Sequence, residues 1–342
     1  MKRERIFYLD FVRAIATVLI LMTHYNAVYL YLPEPQPDKV FITANIANIY
    51  IGGFGVALFF IISGASLMYV YDEKCELKNF YKKRFLSLYP MFWIAYTIAF
   101  LYQFYMGKGI NPLVPRRNII LSILGMDGYL SQVVPTFYIL GEWFLGCIIL
   151  IYIIFPLLRY CIKRWPVALA VVAGILYVVF LILPSPFGLS KSLVLPVRIP
   201  EILFGMYYIK YIKKIKWPVA VGALAVLVVN GIVAPDISPD LQTTYVGIAA
   251  FLVLAFVSDY LKFAGIERIC SVISKYSYAI FLVHHVIIIA MMGTFDLMNI
   301  TRFNSYLLFF TCCLVIALFA KLLFEFHRMV MKEVSLFFKP KE

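Results

Sequence analysis

Arg13 and His24 are the first residues in this chain whose types and spacing could do chemistry. Both lie within the apolar stretch Phe11 to Leu32, FVRAIATVLILMTHYNAVYLYL. Eleven helical steps turn about 1,100°, three turns plus roughly 20°, and advance about 16 Å. The two side chains therefore share a helix face, with Arg13 near one membrane surface and His24 near mid-depth. Titratable groups are costly in hydrocarbon and normally face a bundle interior or a water-filled cavity. A cation above a proton-transfer group is the beginning of a reaction chamber.

Histidine is scarce, four in 342 residues. His284 and His285 fall eight or nine residues into a late apolar stretch, which places them at mid-membrane. His284 is the second candidate, whereas His285 points about 100° away from it and reads as a packing residue. Buried histidines also serve simply as hydrogen-bond partners between helices.

Other groups surround these. The stretch IGGFGVALFFIISGASLMYV carries Gly52, Gly53, Gly55, Ser63 and Gly64. Its small residues either let helices pack closely or leave a slot for a slender substrate. Lys82, Lys83 and Arg84 open the third stretch, as positive-inside topology demands and as a nucleotide phosphate would require. Glu142 and Trp143 stand at the outer part of the fourth. Arg198 and Glu201 are spaced for an i,i+3 ion pair, and Lys321, Glu325 and Arg328 are similarly spaced.

The elements that must position these groups are membrane helices. The chain is 63% hydrophobic and 14% charged, with mean hydropathy +0.89. A soluble domain cannot enclose that much apolar surface, so an all-α, polytopic membrane bundle is expected. Ten spans read near 11–32, 48–71, 85–106, 137–158, 165–183, 198–212, 217–234, 243–260, 276–297 and 304–326. Pro196 and Pro200 give the sixth an irregular start, and 118–131 reads as an interfacial helix. The first span is too long and lacks the small-residue site of a cleavable signal peptide. With the N-terminus inside, 22 of 31 cations fall in cytoplasmic segments and six in outer loops. That bias sets both termini in the cytoplasm and accounts for most of the +13 charge without nucleic acid. The six cysteines have no metal-ligand or disulfide spacing, and no repeat or linker divides the chain, so a single membrane domain over 1–342 is expected.

Taken in order, these residues resemble the acyltransferase-3 family of integral membrane acyltransferases. Arg13 and His24 resemble its R-x10-H motif, preceded by Leu9-Asp10. Gly55-Val56, Phe59-Phe60 and Ser63-Gly64 resemble its second span, and Phe80 to Pro90 resembles its basic-aromatic approach to the third. Trp143, Leu145, Tyr152 and Pro156 resemble the fourth. Arg198, Glu201 and Gly205 resemble an R-x-x-E-x-x-x-G element, and Ser277, Tyr278, Leu282 and His284 a late S-Y…L-x-H segment. Many relatives carry an acid five residues after the span-four tryptophan, where this chain has Ile148.

The resemblance implies transfer of an acyl group, commonly acetyl from acetyl-CoA, to a hydroxyl of a surface glycan or lipid-linked sugar, at the plasma or inner membrane. Acetyl-CoA or another acyl-CoA would be co-substrate, with no resident cofactor and no metal. His24 would be the base or a transient acyl carrier, Arg13 would bind a phosphate or polarise the thioester carbonyl, and His284 would orient His24 or contact the acceptor. Lys82, Lys83 and Arg84 would hold the CoA phosphates, and the Ser63-Gly64 region would admit its pantetheine arm. Glu142, Trp143, Arg198, Glu201 and Tyr278 would be substrate-facing or structural polar groups. The bilayer is the remaining partner, and a homo-oligomer is compatible with the sequence. The rival reading is a secondary transporter of a small anionic or sugar-like solute, which would use the same buried polar groups but usually shows inverted repeats.

Overall fold

The computed structural model describes residues 4–138, 140 and 142–337. Lys2, Arg3, Lys339 and Lys341, which contribute to the charge bias, lie outside the described residues. The helices are α1 (Phe7–Leu30), α2 (Ile51–Tyr71), α3 (Leu77–Met106), α4 (Ile119–Ile123), α5 (Asp127–Leu130) and α6 (Glu142–Arg164). Then follow α7 (Pro166–Ile182), α8 (Leu195–Tyr207), α9 (Trp217–Val233), α10 (Pro239–Ser258), α11 (Ala264–Met292) and α12 (Arg302–Phe337). A helix stands at each of the ten expected spans. Seven are long and apolar enough to cross a membrane, namely α1, α2, α3, α6, α10, α11 and α12. α7 and α9 are shorter apolar helices, and α8 has 13 residues before a π-helical turn at Tyr208–Ile212. The fold is an all-α membrane bundle.

Local sequence explains most boundaries. Proline opens α7 and α10 and stands second in α8 and α9, where its fixed φ suits a first turn and its missing N–H costs nothing. α11 starts at Ala264, twelve residues before the apolar span, because no Pro or internal breaker stops the charged stretch Glu267 to Lys275 from extending it. The stretch 118–131 forms two short helices rather than one, divided at Gly125 with φ +68.

The chain forms two compact units by its internal contacts, residues 1–76 with 150–277 and residues 77–149 with 278–342. In the first unit α2 packs against α1, α8 and α10, while α7 packs on α8 and α9 on α10. A Cβ at Gly205 would lie within 1.9 Å of the Ile61 carbonyl oxygen, and one at Gly64 within 2.1 Å of that of Ile202. Two glycines thus let the backbones of α2 and α8 touch, as small residues do in membrane bundles. Phe7, Phe11 and Ala14 of α1 enclose Cys270 of α11, which packs as a small apolar residue. Arg159 and Lys163 of α6 donate to the Asp72 carbonyl just past α2, and Lys210 reaches the Asp72 carboxylate at 2.8 Å. These cations satisfy carbonyls and charge at the C-terminus of α2.

A hairpin, β1 (Asn45–Ile46) with β2 (Ile49–Tyr50), precedes α2 and turns at Ala47 and Asn48, both at positive φ. Buried Asn26 of α1 donates to the carbonyls of Phe41 and Thr43 and accepts from Phe41 N–H, pinning the connecting loop. In the second unit, α3 packs against α12. The loop after α3 is tied back by Tyr89 and Trp93, which donate to the carbonyls of Leu124 and Ile123. An apolar cavity of about 620 Å³ lies among α3, α11 and α12, lined by residues such as Ala95, Ala99, Leu282, Val286 and Phe319.

Candidate active site

Within the first unit, α1 runs unbroken from Phe7 to Leu30, so the register that puts Arg13 and His24 on one face is kept. The Arg13 guanidinium reaches two other helices. Its Nη2 donates to Ser66 Oγ of α2 and its Nη1 to Ser274 Oγ of α11, each at 3.0 Å. Ser274 in turn donates to Asp10 at 2.5 Å, and Asp10 pairs with Arg5 at 2.8 Å. The Asp10 carboxylate is 3.9 Å from Arg13. Arg13 is therefore a half-buried cation fixed in orientation by hydroxyls, with a carboxylate close enough to offset its charge. His24 is half-buried six residues before the end of α1, about 9 Å along the axis. It lies about midway between the centre of α1 and that end, because α1 starts four residues before the apolar stretch.

The second polar centre of this unit lies at α8. Arg198 and Glu201 form the ion pair their spacing predicts, at 3.1 Å, and only 3% and 0% of their side chains are exposed. Arg198 also donates to the Ser192 carbonyl, lies 3.7 Å from Asp240, and sits over the Phe60 ring at 6.0 Å. Thr244 donates to Glu201 Oε1, whereas Glu201 Oε2 has no hydrogen-bond partner among the described residues. Ser63 is half-buried, and the face of α2 at Gly64 is filled by the α8 backbone. At Gly64 the missing side chain serves close packing.

The second unit holds the remaining candidates. His284 is fully buried, and its Nδ1 lies 2.7 Å from the Phe281 carbonyl. A carbonyl only accepts, so this contact places the proton on Nδ1. Tyr278 donates to the Leu88 carbonyl at 3.0 Å, joining α11 to α3. Trp143 is half-buried and meets Phe144 edge-on at 6.3 Å. Lys82 and Lys83 are exposed and Arg84 half-buried on the second turn of α3. Three consecutive residues fan over about 200° of a helix, so they form a basic collar rather than a single pocket.

Glu142 begins α6 with φ +48, and its Oε1 lies 2.5 Å from Nδ1 of His285. His285, read from sequence as packing, is the histidine of α11 that contacts a carboxylate of its own unit. No sequence signal selects it over His284, since neighbouring helical residues differ only in face. Asp127, also missed, is 1% exposed, accepts from Gly128 N–H at 2.9 Å, and lies close enough to feel the Glu142 charge. Burial pushes its carboxyl up to about 7.

Each unit thus carries titratable side chains on its membrane helices, Arg13 and His24 on α1 of the first and Glu142, His284 and His285 on α6 and α11 of the second. The chain matches the acyltransferase domain of the acyltransferase-3 family over residues 6–326 and belongs to that family. It is also similar to the protein named acyltransferase MdmB of Streptomyces mycarofaciens, with 25% identity over 132 residues, 36% of this chain. The match spans only 33% of that relative's length. No solved structure matches the chain.

Proposed function

We propose that this acyltransferase moves an acetyl group from acetyl-CoA to a hydroxyl of a surface glycan or lipid-linked sugar, at the plasma or inner membrane, with His24 as its base. The observation that carries the reading is the Arg13 clamp. A guanidinium held by Ser66 and Ser274 is a fixed cation on the same face of α1 as His24, three turns away. Fixed charge of this kind suits a thioester carbonyl or a phosphate and costs no reorganisation during reaction.

His24 accepts the proton of the acceptor hydroxyl, the oxygen bonds to the acyl carbon, and the C–S bond breaks with its electron pair on sulfur. An imidazole near neutral pH fits that task. Lys82, Lys83 and Arg84 attract the phosphates of CoA, Lys82 and Lys83 being exposed on α3. Positive-inside orientation places Arg13 and this collar on the cytoplasmic side, where CoA thioesters are made.

Mass spectrometry of the cell-surface glycan, with and without the gene, tests the reading. Loss of acetyl increments in the deletion strain, unrestored by His24→Ala protein that inserts normally, is the expected result. An unchanged glycan removes the proposed acceptor, and full rescue by His24→Ala removes His24 from the mechanism.

A further inference from the structure

The Glu142–His285 pair of the second unit has no role in the reaction as proposed above, and three observations set it apart. The first is the 2.5 Å contact between Glu142 Oε1 and His285 Nδ1. A carbonyl such as that of Phe281, which holds His284, fixes a ring as a structural partner. A carboxylate on Nδ1 fixes the ring and also supports positive charge on it, which leaves Nε2 as the nitrogen suited to chemistry.

The second observation is backbone strain. Glu142 lies at φ +48, a conformation that non-glycine residues seldom adopt and that persists only where the surroundings enforce it. Its main chain rests on Gly128, where a Cβ would come within 2.5 Å of the Glu142 carbonyl carbon and oxygen. The fold therefore spends a glycine and a strained residue to aim one carboxylate. The third is access. The side chains of His285 and Glu142 are 37% and 22% exposed, whereas His284 one residue earlier is fully buried.

We propose that His285 is a catalytic residue of the acyl transfer, donating its Nε2–H to the oxyanion that forms on the thioester carbonyl, and that Glu142 is its positioning residue. The inference rests on the acyltransferase reading. As the acceptor oxygen bonds to the acyl carbon, the carbonyl π pair moves to oxygen, and His285 lends it a hydrogen bond. The tetrahedral species then collapses, the C–S bond breaks, and its pair goes to sulfur. The hydroxyl proton goes to the reaction's base. His285 keeps its own proton throughout, so the role needs a hydrogen-bond donor and no proton transfer.

That distinction sets the test. Purified full-length protein is given acetyl-CoA and the glycan fraction of its own cells, and release of the CoA thiol is followed. Each variant is first checked for monodispersity and an unaltered thermal transition. His285→Leu is expected to lower kcat by about 10²–10³-fold with KM for acetyl-CoA unchanged, the loss typical of one oxyanion donor. His285→Gln retains a side-chain N–H and is expected to recover at least tenfold over His285→Leu. Isosteric Glu142→Gln is expected to fall between wild type and His285→Leu. Wild-type turnover in His285→Leu overturns the proposal, as does a His285→Gln protein no better than His285→Leu. Should His285→Leu fail to fold, wild-type turnover in Glu142→Gln overturns the positioning role. Absence of CoA release by the wild type would instead defeat the acyltransferase reading itself.

Discussion

Gly205→Ala is the sharpest structural prediction, because its cost follows from one contact. The added Cβ would lie 1.9 Å from the carbonyl oxygen of Ile61 and 2.9 Å from the Ala65 nitrogen. Both atoms are backbone, so no side chain can rotate away. Restoring an ordinary carbon–oxygen contact requires α8 and α2 to separate by about 1.5 Å, in a bundle whose packing tolerates little added volume. Overpacking alone costs about 1–3 kcal/mol. Gly205 also lies seven residues from Arg198 and four from Glu201, on the face that carries their buried ion pair. Loosening that pair adds to the loss, so about 3 kcal/mol or more is expected. The assay is the temperature at which half the detergent-solubilised protein leaves the monodisperse peak. Gly174→Ala in α7 and Gly222→Ala in α9 are the controls, since a Cβ there meets nothing within 4 Å. These should match or slightly exceed wild type, as alanine favours helix over glycine by about 1 kcal/mol. A Gly205→Ala protein as heat-stable as Gly174→Ala would refute the close-approach argument.

Three further outcomes are expected. Burial raises the Asp127 carboxyl from 3.8 to about 7, so between these values the folded protein holds a proton that the unfolded chain lacks. The resulting stability, up to about 4 kcal/mol, is complete below pH ~4 and lost as pH rises through ~7. Thermal transitions from pH 5 to 8 should therefore fall more steeply for wild type than for Asp127→Asn, and parallel curves would contradict this. Changing Lys82, Lys83 and Arg84 together to Gln should raise KM for acetyl-CoA severalfold with kcat nearly constant, and an unchanged KM would leave the collar a purely topological role. Glu201→Leu alone leaves Arg198 only the longer 3.7 Å pairing with Asp240 and should cost about 3 kcal/mol, whereas the Arg198→Met, Glu201→Leu double variant should recover much of it. Equal losses in the two proteins would show that the pair is not coupled.

The helices were legible because a membrane imposes a length and polarity that hydropathy reads directly. The Arg198–Glu201 pair was legible because both partners lie on one helix. The partners of Arg13 were not. Ser66 and Ser274 lie 53 and 261 positions away, and serine is too common in helices to announce a contact. The Gly64 ambiguity closed only once the α8 backbone was seen against it. His284 and His285 have the same chemistry one helical step apart, so only the placement of Glu142 separates them. The positive φ at Glu142 left no trace either, since the residue type gives no hint of it.

The contact of α2 with α8 has a consequence for biogenesis. Roughly 120 residues separate the end of α2 from the start of α8, and at about 5–20 residues per second their synthesis takes some 6–25 s. Throughout that interval α1 and α2 sit in the bilayer without the helix that fills their glycine groove. Ser274, which anchors both Asp10 and Arg13, emerges later still. Asp10 and Arg5 can pair from the outset, since only five residues separate them. That early local pair offsets the Asp10 charge while Arg13 waits for Ser274.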